Sequence, residues 1–175
     1  MTEKYAESIE TERLILREAT LDDTAFVFAL YNDPDFKRFV GDRGVHTLDD
    51  AANYITKNFI GSYRQHAMGL LIAELKDSGT PIGCCGLVVR PTFEVPDIGF
   101  AYLPDYTSKG YGHEAAVGTI AHAKAAFGLD RLLALIAPDN VRSIGLIKKL
   151  GFVHERDEVM PWSGQPTSIF AYNYR

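Results

Sequence analysis

The segment 97–137 constrains the fold more than any other part of the 175 residues. It opens with a strand over 97–103 that Pro104 halts. A loop holding Gly110 and Gly112 follows, then a helix over 110–127. A short apolar strand over 132–137 comes next, of the kind buried at the centre of a sheet. A helix between two strands is a crossover, so the sheet cannot be a simple run of hairpins. Upstream, residues 67–75 and 81–89 flank the turn-forming Lys76-Asp77-Ser78-Gly79-Thr80 and read as an antiparallel hairpin. Residues 13–17 alternate with a period of two, with Leu14 and Leu16 on one face. Two helices lie between that strand and the hairpin. The first, over 22–31, carries Phe26, Val27 and Leu30 and stops at Asn32-Asp33-Pro34. The second starts at Thr47, with Asp50 as the acid of a capping box, and buries Ala51, Tyr54, Ile55 and Phe59. A helix over 140–150 closes at Gly151. Strands over 152–158 and 167–174 follow, separated by a Pro/Gly loop that holds Trp162. The order β-α-α-β-β-β-α-β-α-β-β predicts an α/β fold of the mixed α+β kind. It is one domain over 1–175, a mixed, mostly antiparallel sheet flanked by helices.

Composition narrows the classes of function. Hydrophobic residues make up 46% and charged residues 23%, enough apolar material for a sizeable core and unlike a disordered chain. No apolar run reaches the ~18 residues of a membrane span. The charged opening MTEKYAESIETE lacks the apolar stretch of a secretory signal. Lys plus Arg number 18 and Asp plus Glu 23, a net charge of −5, which argues against a protein that coats nucleic acid. The only cysteines, Cys84 and Cys85, are adjacent and support neither a disulfide framework nor a structural zinc site. The expectation is a cytoplasmic monomer or homodimer with no metal, no membrane and no direct nucleic-acid partner.

The chemistry concentrates in the stretch IGFAYLPDYTSKGYGHEAA, residues 98–116. Glycines at the start of a helix let the backbone turn tightly and let a bulky anion approach the free N–H groups. The helix dipole adds attraction for negative charge, and Lys109 adds a cation. The inference is a phosphate or pyrophosphate site, set against a loop that merely turns the chain. It is not a P-loop, because no Gly-Lys-Ser/Thr follows. It is a poor dinucleotide fingerprint, because Asp139 is a weak match to the ribose-binding acid.

The run Tyr106-Thr-Ser-Lys-Gly-Tyr-Gly-His-Glu-Ala115 resembles the acetyl-CoA-binding motif of the GNAT superfamily of N-acetyltransferases. Asn140-Val-Arg-Ser143, followed by Lys149-Leu-Gly-Phe152, resembles its next motif. Thr11-Glu-Arg-Leu-Ile-Leu-Arg17 resembles the first strand of the branch that holds the Rim-type ribosomal-protein alanine N-acetyltransferases. The resemblance spans about residues 9–174. It implies that acetyl-CoA is the co-substrate and that Lys109, Gly110, Tyr111, Gly112 and His113 wrap its pyrophosphate through backbone N–H groups. It also implies that the strand holding Phe100, Ala101, Tyr102 and Leu103 splays from the strand over 132–137, leaving a gap that pantetheine fills. Gly99 is a place where the strand could bulge and bend. By the same resemblance Asn140 contacts pantetheine, while as a residue type it is an excellent helix N-cap. The position that often carries a proton-donating Tyr is here Ile147. The Rim-like branch has Ser at the position of Ser143, the candidate donor to the departing sulfur. Thr107 stands where many members carry Gln or Arg.

Acetyl transfer needs a neutral amine. An α-amine of pKa near ~7.7–8.0 is neutral in roughly one molecule in ten at pH 7, and a lysine near ~10.4 in about one in a few thousand. An enzyme for α-amines therefore manages with a weak base or water. Candidate bases are Asp97 and Glu94, with His46 and His66 as further possibilities. Asp97 reads more simply as a solvated acid at a strand edge. Cys84 and Cys85 alternate along a strand, which puts one in the core, and neither has an evident activating partner. Tyr31, Asn32, Phe36, Trp162 and Gln165 are candidate walls of an acceptor site. The expected activity is direct acetyl transfer to a primary amine, with a protein N-terminal α-amine as the candidate acceptor. The alternatives are a small amine, such as a polyamine, amino acid or antibiotic, or a non-catalytic acyl-CoA-binding module.

Overall fold

The computed structural model describes residues 5–175; the first four residues of the charged opening segment lie outside them. Strands β1 (Ile9–Glu10) and β2 (Leu14–Arg17) are followed by helices α1 (Thr24–Tyr31), α2 (Pro34–Phe39) and α3 (Leu48–Tyr54). A π-helical stretch, Ile55–Ile60, carries α3 directly into α4 (Gly61–His66). Then come β3 (Leu70–Leu75), β4 (Pro81–Val88), β5 (Asp97–Tyr102), α5 (Tyr111–Phe127), β6 (Arg131–Ile136), α6 (Val141–Lys149), β7 (Val153–Val159) and β8 (Pro166–Asn173). The strands form an eight-stranded sheet in the order β1-β2-β3-β4-β5-β6-β8-β7. Every pairing is antiparallel except that of β5 with β6. This is the mixed, mostly antiparallel architecture that the element order predicts.

Local chemistry explains the elements and the departures. The Thr47 capping box forms as expected, with Asp50 N–H donating to Thr47 Oγ1 at 3.0 Å and Thr47 N–H donating to Asp50 Oδ2 at 3.0 Å. Ala51, Ile55, Phe59 and Tyr63 recur every four residues and are all buried. In an α-helix such a stripe drifts about 40° per step, because 3.6 residues make a turn. The π turn has the same hand but holds more than four residues, so the stripe drifts in the opposite sense there and stays on the core. Asn32-Asp33-Pro34 ends α1 but also starts α2, a helix that the sequence reading omits. The Asp33 carboxylate accepts from the N–H groups of Asp35 and Phe36, and Pro34 takes the first helical position, where its missing N–H costs nothing. Ala67 is not in a strand; at φ +57° it closes α4. Gly99 does not bulge, since β4 and β5 stay in register from Gly83↔Tyr102 to Val88↔Asp97. The register shifts lie instead at Ala73/Glu74 and His154/Arg156.

Helices cover both faces of the central strands. Successive residues of β4 point to opposite faces. Cys85 Sγ lies 3.4 Å from Thr119 Oγ1 of α5, and Cys84 lies near Tyr31 of α1. Both cysteines are therefore buried, not one of the pair. Among the described residues, no helix is long and apolar enough to cross a membrane.

Candidate active site

The parallel pair at the centre of the sheet is barely a pair. β5 and β6 share one register position, Asp97↔Leu133, closed by Leu133 N–H donating to Pro96 O at 3.1 Å. β6 then stays with β8 along its whole length, while β5 stays with β4 until Pro104 ends it. Leu103 N–H donates to Ile82 O of the strand edge at 2.9 Å. Along an antiparallel ladder the direction of the polar groups alternates, so Phe100 and Tyr102 turn theirs into the gap, whereas Ala101 and Leu103 turn theirs to β4. Of the four strand residues expected to meet pantetheine through backbone, two offer their N–H and C=O groups to the gap.

At the mouth of the gap the chain makes an anion nest. Ser108 and Gly110 both adopt the left-handed conformation, at φ +60° and +85°, and such alternation gathers successive N–H groups into a concavity. The N–H groups of residues 108–113 donate to no described residue; the first amide engaged is that of Glu114, to Gly110 O at 3.0 Å. Lys109 is exposed, with Nζ 5.8 Å from the ring of Tyr106. The Thr107 hydroxyl is spent on Pro104 O at 2.9 Å. His113 opens onto a groove of about 570 Å³ between α5, the end of α6 and the floor formed by Tyr172 and Tyr174.

Helix α6 starts at the same mouth. Asn140 caps it: its Oδ1 accepts from Ser143 N–H at 3.3 Å, while its Nδ2 has no partner among the described residues. The Ser143 hydroxyl likewise has none, and Ser143 is half-buried. Ile147 is fully buried, so the position that would supply a Tyr is part of the core.

At the closed end of the gap, Asp97 is buried and both its oxygens are held by Arg90, Nε to Oδ1 at 2.7 Å and Nη2 to Oδ2 at 3.2 Å. Burial pushes its carboxyl above the ordinary value, against the opposing pull of Arg90. It is not the solvated edge acid that the sequence allowed. Arg90 lies over Trp162, 4.9 Å from the ring, and Phe93 meets the same ring edge-on at 6.5 Å. Glu94 is exposed on the loop. His46 is tied to Asp42 at 2.9 Å on the surface, and His66 ends α4. Burial pushes the Cys84 and Cys85 thiols up to about 12 and about 11, which leaves neither as a thiolate at neutral pH.

The proposed acceptor wall divides. Tyr31 stacks on Phe36 at 4.2 Å and meets Tyr54 edge-on at 5.0 Å; Tyr31 and Phe36 are buried. The Asn32 amide donates to Phe28 O at 2.8 Å and Val45 O at 2.9 Å. These three pack the corner between α1 and α2, where Tyr31 and Phe36 are closed off and Asn32 is half-buried. Trp162, 45% exposed, presents an open face. Gln165 lends its carbonyl to Met160 N–H at 3.0 Å. Arg90 and the Arg13–Glu114 contact, which spans 101 residues, carry no local pattern that singles them out. For Arg13 the one sequence hint is its place in the Thr11–Arg17 run.

The family model described as an acetyltransferase (GNAT) domain matches residues 13–153. The chain is 27% identical over 148 residues to the uncharacterized N-acetyltransferase YoaA of Bacillus subtilis, covering 84% of this chain and 83% of that protein. The ribosomal-protein-S5-alanine acetyltransferase of Vibrio fischeri superposes with a TM-score of 0.78 at 18% identity, over 95% of this chain and 96% of that one. RimJ of Mycobacterium smegmatis, solved with a coenzyme A disulfide, superposes with a TM-score of 0.82 at 17% identity, over 99% and 90%. At such identities the two structures establish a shared fold.

Proposed function

The chain belongs to the GNAT acetyltransferase family, and from that premise we propose that it moves the acetyl group of acetyl-CoA directly to the α-amine of a protein N-terminus. The observation that carries the reading is the meeting of two features at one mouth: unpartnered amides at 108–113 and a strand gap walled by unpaired backbone groups. A pyrophosphate fits the first and an amide-bearing chain the second, which is the chemical outline of coenzyme A. Its thioester supplies an activated acetyl carbonyl and a thiol leaving group.

This chain's own groups divide the work. Amides of 108–113 hold the phosphates. The Phe100 and Tyr102 backbone aligns the pantetheine amides, and its N–H groups are the donors available to an oxygen that gains charge. The Ser143 hydroxyl donates a hydrogen bond to the departing sulfur, whose negative charge it stabilises until water protonates the thiolate. Asn140 holds the first turn of α6, and so Ser143, in place. Asp97 orders Arg90 and, with both oxygens accepting from it, leaves no free oxygen for an acceptor amine. That arrangement suits an α-amine, which sheds its own proton to water often enough at neutral pH. The relatedness in fold to acetyltransferases that act on ribosomal proteins supports the same acceptor class.

Thiol release from acetyl-CoA is the deciding assay, run with peptides bearing free N-termini, N-blocked peptides bearing lysine, and a polyamine and amino-acid panel. The expected result is turnover with free N-termini and not with blocked ones. Turnover with small amines alone overturns the acceptor assignment, and no thiol release with any amine overturns catalysis.

Ser143→Ala is expected to lower kcat roughly ten- to a hundred-fold, the worth of one hydrogen bond to a developing charge. The Kd for acetyl-CoA should stay within about two-fold, because the bond strengthens only as the thiolate forms. The helix cap uses the Ser143 backbone N–H, which alanine keeps, so the melting temperature should not move. An unchanged kcat leaves water as the only donor to the sulfur.

A further inference from the structure

An acid in the first turn of a helix opposes any anion brought to the same N–H groups. Glu114 is such an acid, and three donors from about a hundred residues upstream, on Thr11 and Arg13, engage it. Thr11 Oγ1 donates to Oε2 at 2.5 Å, Arg13 N–H to the same oxygen at 2.8 Å, and Arg13 Nε to Oε1 at 2.7 Å. Burial works to raise its carboxyl, but these bonds outweigh that and hold it below the ordinary value. The same guanidinium reaches further. Its Nη1 donates to Lys109 O at 3.1 Å, and its carbon lies 4.3 Å from the centre of the Tyr111 ring. Arg13 thus ties the strand to the loop, the helix and the ring at once.

The bond to Lys109 O fixes a direction. A peptide unit is planar and trans, so its C=O and N–H point opposite ways. Holding the Lys109 carbonyl toward β2 therefore aims the Gly110 N–H away from it. We propose that Arg13 is a positioning residue for the phosphate nest: it holds the 109–110 peptide so that the amides converge on an incoming pyrophosphate, and Glu114 with Thr11 holds Arg13. This rests on reading the loop as the coenzyme A cradle. Arg13 keeps an exposed edge, but its role is geometric: the planar fork reaches two acceptors in fixed directions, which a compact ammonium on a flexible stem does not hold.

Calorimetric titration of the full chain with coenzyme A tests it, with pantetheine, which carries no phosphate, as a second ligand followed by NMR. Arg13→Ala should weaken coenzyme A binding about ten-fold and pantetheine binding less than two-fold. Arg13→Lys should fail to restore affinity. Glu114→Gln should also weaken coenzyme A binding, although it removes a negative charge beside the phosphates. Thr11→Val, the mildest change, should give a loss of about two- to three-fold and keeps the test open if another variant does not fold. A lysine that restores affinity, or a glutamine that tightens it, makes Arg13 a simple counter-charge and overturns the proposal. So does an equal loss for both ligands. A wild-type chain that does not bind coenzyme A sinks the cofactor reading itself; one that binds it equally well as Arg13→Ala sinks the positioning role alone.

Discussion

Replacing Gly110 by valine is expected to weaken coenzyme A binding a hundred-fold or more while leaving the fold intact. Gly110 sits at φ +85°, where an L residue costs roughly 1–2 kcal/mol and a β-branched one more. A Cβ there would also stand 3.2 Å from Arg13 Nη2. The loop is exposed, so it relieves the strain by leaving the nest conformation, and the amides of 108–113 cease to converge. Gly112 is different. A Cβ at that position meets Leu146 Cδ2 and Tyr102 Cε2 at 3.4 Å, an ordinary contact, so alanine there should be tolerated. Lys109→Ala should cost only a few-fold, since the anion is held by N–H groups. Titration calorimetry with coenzyme A decides between the two pictures. Mild effects at Gly110 with a severe effect at Lys109 would falsify the backbone nest.

The second large effect is on stability. Arg90→Met should destabilise the protein by up to about 4 kcal/mol at pH 7, a large share of the ~5–15 kcal/mol typical of a domain. The figure follows from the charge left behind. Asp97 is buried and loses the partner of both its oxygens, so in the folded state it must be protonated. Protonating an aspartate of unfolded pKa about 3.9 costs about 1.4 kcal/mol for each pH unit above that value. The sign follows from the direction of the shift. Burial already holds this carboxyl above its unfolded value against the pull of Arg90. Removing Arg90 raises it further, so the folded state gains protons relative to the unfolded state. Stability from such a group is complete below the unfolded pKa and is lost as pH rises toward the folded one. The penalty should therefore shrink to about 1.5 kcal/mol at most at pH 5. Urea denaturation at the two pH values measures it, and a penalty independent of pH would mean that Asp97 is not the stranded charge.

Much of the fold is legible because its signals are local. The period of two at Leu14 and Leu16, the Thr47–Asp50 pair, the halt at Pro104 and the left-handed Gly151 each act within a few residues. The nest is legible for the same reason. Where a residue serves two ends, local reading takes one of them: Asn32-Asp33-Pro34 ends one helix and begins another. Burial on both faces is a property of the assembled layers, so the second buried cysteine of the Cys84–Cys85 pair is not legible, and Tyr31 and Phe36 could not be told from residues on an open wall. Long-range partners leave no trace in spacing. Asp97 looks like an edge acid until the β4–β5 loop folds Arg90 back on it. The insertion of β8 between β6 and β7 likewise depends on pairing energies that the order of elements does not encode.

The solitary Asp97↔Leu133 rung has a mechanical meaning. Strands β1 to β5 form one laced unit. Strands β6, β8 and β7, contiguous in sequence from Arg131 to Asn173, form another. Main-chain bonding between them amounts to one seam point, the rest of the join being left to side chains under α5 and α6. Sub-global opening of a protein follows such seams, since the weakest boundary sets where cooperative units part. A molecule lodged along the gap and bonded to both lips would act as a suture, adding its binding free energy to the closed form alone. The donor of the acetyl group would then also set how long the two units stay together. In a cell short of acetyl-CoA, the same chain would be not only idle but easier for a protease to open.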